Sequence, residues 1–261
     1  VAAAHDGGLN LYDQWGNLIW QYNDGYHETI VRISQDGNYI VCANYELGFL
    51  RGGVHYFSHL SDGVPGWDPR DGTPVWSLAT LPNMNYFWVA ISGIGEYVAA
   101  SGFRPDLGHF VSLHNRTGAL IWRYTTPQGL KGGYIRVDMP CDGKSVVAVN
   151  DDPSDSKGCD LLYFSDGGDD WDPGDGTPVW NFWPGKPSPQ VVTDDFYSVA
   201  ISGNGDVIAT GGIPQNVYLL WRDGTLLQTI ADGTVQSLDL TFTGEYGVAG
   251  DRQNRVWFFR K

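Results

Sequence analysis

The 261 residues, 42% hydrophobic and 14% aromatic, suffice for one domain with a sizeable core. Thirty acidic against 16 basic residues give a net charge of −14. That excludes a nucleic-acid binder, which needs a basic track to release counterions, and it disfavours anionic membrane surfaces. No apolar run reaches ten residues, so no membrane-inserted helix is expected.

Read from the start, Val1-Ala2-Ala3-Ala4 has the character of an inner strand, and Leu9–Tyr12 and Leu18–Tyr22 form a hairpin around Trp15-Gly16. A new pattern then begins. The run Ile30–Ile33 ends at Ser34, turns at Asp36-Gly37 and continues as Tyr39-Ile40-Val41. It returns at Trp88–Ile91 with Gly95, Ile135–Asp138 with Gly143, Ser198–Ile201 with Gly205, and Ser237–Leu240 with Gly244. The turn glycines stand 58, 48, 62 and 39 residues apart. A β-unit recurring at about 40–50 residues marks a propeller blade.

Between these copies lies a second hairpin, seen at Leu9–Tyr22, Phe110–Tyr124 and Val217–Leu227. Two further copies carry an insertion, Trp67–Trp76 and Trp171–Trp180, identical at nine of ten positions. Two hairpins together make a four-stranded antiparallel blade. The fold class is therefore all-β, a single propeller domain over 1–261, most simply of six blades within a range of five to seven. Four complete blades lie between about residues 28 and 231, and three strands at each end bring the total to 22, two short of six blades. Three readings of the incomplete end blades stay open: a fragment or processed form of a longer chain, closure of one end on the other, or completion by a neighbouring subunit. The absence of Met at position 1 and a first residue inside a strand suggest that a leader or more was removed.

Three cysteines do not describe a disulfide framework. Cys42 reads as a small buried hydrophobe, and Cys141 and Cys159 lie at opposite ends of a strand. Asn115-Arg116-Thr117 fits the N-glycosylation acceptor on a hairpin tip, which supports an extracellular or cell-surface location.

Among candidate sites, the loop holding Asp166, Asp169, Asp170, Asp172 and Asp175 could converge oxygens on Ca²⁺. The competing reading makes Asp172 and Asp175, with Asp68 and Asp71 of the sister insertion, turn formers preceding Pro and Gly. Trp67 and Trp171, if exposed on their insertions, are interface anchors or sugar-stacking rings. Trp20, Trp76, Trp122 and Trp180 are expected to pack each outer strand against the adjacent blade. The six histidines show no metal-binding spacing, and no nucleophile motif appears.

The stretches Val199-Ala200-Ile201-Ser202 with Val207-Ile208-Ala209, and Val217-Tyr218-Leu219-Leu220 with Asp223-Gly224-Thr225, resemble repeats of the PQQ-like or WD40-like propellers of archaea and bacteria. Leu120-Ile121-Trp122-Arg123-Tyr124 fits the same unit. The resemblance covers nearly the whole chain and implies the fold. It implies no activity, since such repeats serve enzymes, scaffolds and surface proteins alike. Its quinone-dependent dehydrogenases carry an adjacent cysteine pair that is missing here, so no catalytic residue is transferred. The expectation is a non-catalytic, exported structural or interaction protein, self-assembling into a filament or array through its end blades, with no cofactor unless Ca²⁺. The alternatives are a Ca²⁺- or carbohydrate-binding module, or a quinone-dependent enzyme.

Overall fold

Alternating apolar residues punctuated by glycine turns fold into twenty-two strands among the described residues. The computed structural model describes residues 1–5, 8–23, 25, 27–45, 52–60, 63–78, 84–125, 136–149, 161–182, 195–213, 216–231 and 234–261. Cys159 lies outside them. The five repeat glycines 37, 95, 143, 205 and 244 all hold φ between 67° and 76°, which a β-carbon would strain.

The strands form six antiparallel sheets in chain order. Sheet I holds β1 (Ala2–His5), β2 (Gly8–Tyr12) and β3 (Leu18–Tyr22). Sheet II holds β4 (His27–Ile33), β5 (Tyr39–Tyr45), β6 (Gly52–Ser58) and β7 (Trp76–Leu78). Sheet III is β8 (Asn85–Ile91), β9 (Tyr97–Arg104), β10 (Gly108–Asn115) and β11 (Leu120–Thr125). Sheet IV is β12 (Arg136–Asp138), β13 (Ser145–Val149), β14 (Leu161–Ser165) and β15 (Trp180–Phe182). Sheet V is β16 (Asp195–Ile201), β17 (Val207–Ile213), β18 (Asn216–Trp221) and β19 (Leu226–Ala231). Sheet VI closes with β20 (Val235–Leu240), β21 (Tyr246–Asp251) and β22 (Val256–Arg260). Each strand pairs with the next inside its sheet, so every sheet is a meander and the whole is a β-propeller.

The core consists of five layers, one in each seam between consecutive sheets. Between sheets II and III, for example, Val41, Val54 and Tyr56 meet Tyr86, Val89 and Phe110. Burial of each such side chain contributes roughly 1.5–3 kcal/mol. No sheet could hold that area alone.

Two further contacts recur along the seams. The first is a belt of main-chain hydrogen bonds joining successive turns. Asp36 N–H donates to Gly93 O at 3.1 Å, Gly93 to Cys141 at 2.8 Å, Cys141 to Gly203 at 2.9 Å, and Asn204 to Phe242 at 2.9 Å. The second sets an outer-strand tryptophan against a glycine of the following sheet: Trp20 on Gly72, Trp76 on Gly118, Trp122 on Gly176 and Trp180 on Gly224. In the tight turns the indole also donates, from Trp76 to Arg116 O at 2.8 Å and from Trp180 to Arg222 O at 2.9 Å. This is the packing role expected of the four tryptophans.

A β-carbon at Gly118 would lie 2.9 Å from the Trp76 ring, whereas one at Gly16, with nearly the same φ (84° against 82°), meets nothing within 4 Å among the described residues. Ala at either position carries the left-handed backbone penalty of about 1–2 kcal/mol, and overpacking adds about 1–3 kcal/mol at Gly118 alone. Gly118→Ala should therefore lower the thermal midpoint clearly more than Gly16→Ala, measured side by side by circular dichroism.

Candidate functional site

The acidic insertion of sheet IV folds into a short 3₁₀ turn, Pro173–Gly176, built by its own carboxylates. Asp172 Oδ1 accepts from Gly174 N–H at 2.5 Å, and Asp175 Oδ2 accepts from Asp172 N–H at 2.7 Å. This reciprocal cap satisfies amides that the turn leaves open. Asp68 and Asp71 repeat it at Pro69–Gly72 in sheet II, which explains the near-identity of the two insertions. Asp166 is nearly buried, accepts from Gly168 N–H at 3.0 Å, and lies 3.9 Å from Lys144 Nζ. Asp169 and Asp170 are exposed. No group of three or more His, Cys, Asp or Glu able to hold a metal occurs among the described residues. Among the described residues Asp166, Asp169, Asp170, Asp172 and Asp175 form no metal-holding group, and the oxygens of Asp166, Asp172 and Asp175 accept from neighbouring amides instead.

Trp67 and Trp171 also differ from the expectation. Trp171 is 8% exposed and Trp67 is half-buried. Each insertion folds back so that its indole N–H reaches the turn of its own sheet, Trp67 to Gly37 O at 2.8 Å and Trp171 to Gly143 O at 2.7 Å. Their rings lie 5.9 Å from Trp20 and 5.7 Å from Trp122. They lock insertions to the seams rather than stand as exposed anchors or sugar platforms. Asn115 does sit on a hairpin tip, with its amide oxygen accepting from Thr117 N–H and Ala119 N–H, both at 3.0 Å.

A constellation that sequence reading missed joins sheets I and II. His55 Nδ1 lies 2.8 Å from Ser77 Oγ and 3.2 Å from the Tyr22 hydroxyl, and Nε2 lies 2.9 Å from Asn44 Nδ2. This has the outline of a nucleophile, base and orienter. The proton direction is reversed, however. Asn44 Oδ1 accepts from Gly53 N–H, so its Nδ2 donates to Nε2 and the imidazole proton sits on Nδ1. Nδ1–H then donates towards Ser77, which is held as an acceptor and is not activated. Only the cross-strand pairing of His55 with Ser77 could have signalled this cluster.

Around the axis the inner strands gather a polar set. The guanidinium carbons of Arg32 and Arg136 lie 5.5 and 4.7 Å from the Trp88 ring centre, and Arg136 Nη1 reaches across to Gln236 O at 2.6 Å. Asp138 Oδ2 accepts from Ile201 N–H at 2.8 Å. Enclosure by protein raises the Asp138 carboxyl to about 6; the Ile201 amide and Arg32 oppose the rise, and Asp239 adds to it.

The remaining feature is a face. On β2 of sheet I and on the third strand of sheets II to V one side chain points to the following sheet: Leu11, Tyr56, Leu113, Tyr163 and Leu219 are 3%, 1%, 0%, 8% and 1% exposed. The residue in register on β22 is Phe258, which is 83% exposed. With Leu240, Tyr246 and Val248 it borders an open apolar hollow of about 360 Å³. Val256, beside it, is 69% exposed.

Among the described residues the fold is a β-propeller of six sheets, and Phe258 of sheet VI stands open to solvent. No protein-family profile matches the chain, and no curated protein sequence does. Among solved structures it is similar to a chain of hydrazine synthase from Kuenenia stuttgartiensis, at 15% identity and a TM-score of 0.70, covering 100% of this chain and 80% of that one. At that identity the likeness is one of fold.

Two outcomes test this account. Asp175→Ala should cost about 1 kcal/mol through loss of the cap, with the same fall in thermal midpoint in Ca²⁺ and in chelator. The raised carboxyl of Asp138 means that the fold holds its proton more tightly than the unfolded chain, so this group's contribution falls as pH climbs from about 4 to 6 and is constant above. Asn keeps an acceptor for Ile201. Asp138→Asn should therefore gain on the parent from near nothing at pH 4 to about 2 kcal/mol above pH 6.5, read as the difference between their melting curves.

Proposed function

We propose that the protein is a non-catalytic propeller, exported or surface-held, that works by docking through the open side of sheet VI, with a second copy as its partner. The observation that carries this reading is the exposure of Phe258 where five equivalent residues are buried. The outer edge of β22 also has no paired strand among the described residues, and its Val256-Trp257-Phe258-Phe259 run favours strand addition. Antiparallel pairing of two β22 edges across a two-fold axis makes a closed, isologous contact. A head-to-tail filament would instead bring this peripheral edge to β1, whose free edge faces inward beside β4. Arg255 and Arg260 are paired with Asp251 at 2.7 Å and Glu245 at 2.9 Å, which lessens repulsion between facing strand ends. Export rests on the acidic composition and the Asn115 acceptor motif.

Sedimentation velocity should show a concentration-dependent dimer. Phe258→Asp removes no core contact and should weaken association at least tenfold. Ile94→Asp, on an exposed turn of sheet III, should leave it intact. A strict monomer at the highest soluble concentration defeats the proposal.

A further inference from the structure

The tight turns of sheets I, III and V are built alike: Asp13-Gln14-Trp15-Gly16-Asn17, Asn115-Arg116-Thr117-Gly118-Ala119 and Trp221-Arg222-Asp223-Gly224-Thr225. In sheets III and V the glycine receives an indole from the preceding sheet, and the carbonyl two residues earlier accepts the indole N–H. The turn of sheet I has the same glycine at positive φ, with nothing among the described residues within 4 Å of its β-carbon position. It is also rigid. Asp13 Oδ1 accepts from the backbone N–H groups of Trp15 and Asn17, both at 2.8 Å, and Asp13 N–H donates to Asn17 O at 2.9 Å.

We infer that the Gly16 turn is a preformed socket for an indole, filled by a partner segment that presents tryptophan on an extended strand. The ring lies on Gly16 and its N–H donates to the Gln14 carbonyl. The two internal occupants state the ligand chemistry, since both read Thr-Pro-Val-Trp followed by a polar and then an apolar residue (Thr73–Leu78 and Thr177–Phe182). The interface continues a contact that the molecule already makes twice, so the ligand needs no new recognition chemistry. This site is on sheet I and does not depend on the face of sheet VI.

The probe is a synthetic hexapeptide with the sequence of residues 177–182 and a 5-fluorotryptophan, followed by fluorine NMR against the full chain, which detects millimolar binding. A saturable shift is expected. Gly16→Asn should weaken binding at least tenfold, because Asn tolerates this backbone conformation and places a side chain in the socket. In a second arm the protein is unchanged and the peptide indole is N-methylated, which should weaken binding several-fold by removing the donor. No saturable shift, or equal binding by the methylated peptide or by a folded Gly16→Asn variant, overturns the inference.

Discussion

An aromatic ring pressed against a residue without a β-carbon is the contact on which this architecture depends. Each sheet is a meander with no partner inside itself, and it acquires a core only when the next sheet comes within side-chain reach. Glycines 72, 118, 176 and 224 permit that approach at the rim. Trp20 and Trp122 cross the seam to stack on Phe57 and Phe164, at 5.2 and 5.0 Å. Trp76 and Trp180 stack on Tyr56 and Tyr163 of their own sheets, both at 5.0 Å, while their N–H groups reach the next turn. Radial order therefore comes from a rim of indoles as much as from the apolar layers.

What was legible in the sequence was local. Strand number, sheet number and the three-stranded ends follow from alternation and from Asp-Gly or related turns, each of which acts within a few residues. The insertions were legible as a pair but not in their outcome. Trp67 and Trp171 looked exposed because nothing in their immediate sequence shows that a turn carbonyl 30 and 28 residues away receives their N–H. The aspartates looked like ligands because carboxylates are scored by type. Their spacing held the better signal: an Asp before Pro and a second Asp three residues later form a reciprocal cap in both copies. The His55 network and the axial set were illegible, since both require the register of strands far apart in the chain.

Charge is placed unevenly. The rim carries carboxylates held in turns, where amides and arginines keep Asp13, Asp68 and Asp223 below the usual carboxylate range. The axis does the opposite with Asp138. Acidic conditions thus protonate rim caps that the fold prefers charged, while neutral conditions charge an interior group that it prefers neutral. The two effects act in separate windows, the rim losing stability as pH falls below about 4 and the axis as pH rises from about 4 to 6.

The rim also alternates. Sheets I, III and V bear a short turn, sheets II and IV bear the capped insertion, and the two insertions recur 104 positions apart. Each kind of outer tryptophan meets the other kind of turn. The rim accordingly repeats in pairs of sheets: gain or loss of two would keep every rim contact matched, whereas gain or loss of one would set an indole against a loop shaped for a different neighbour.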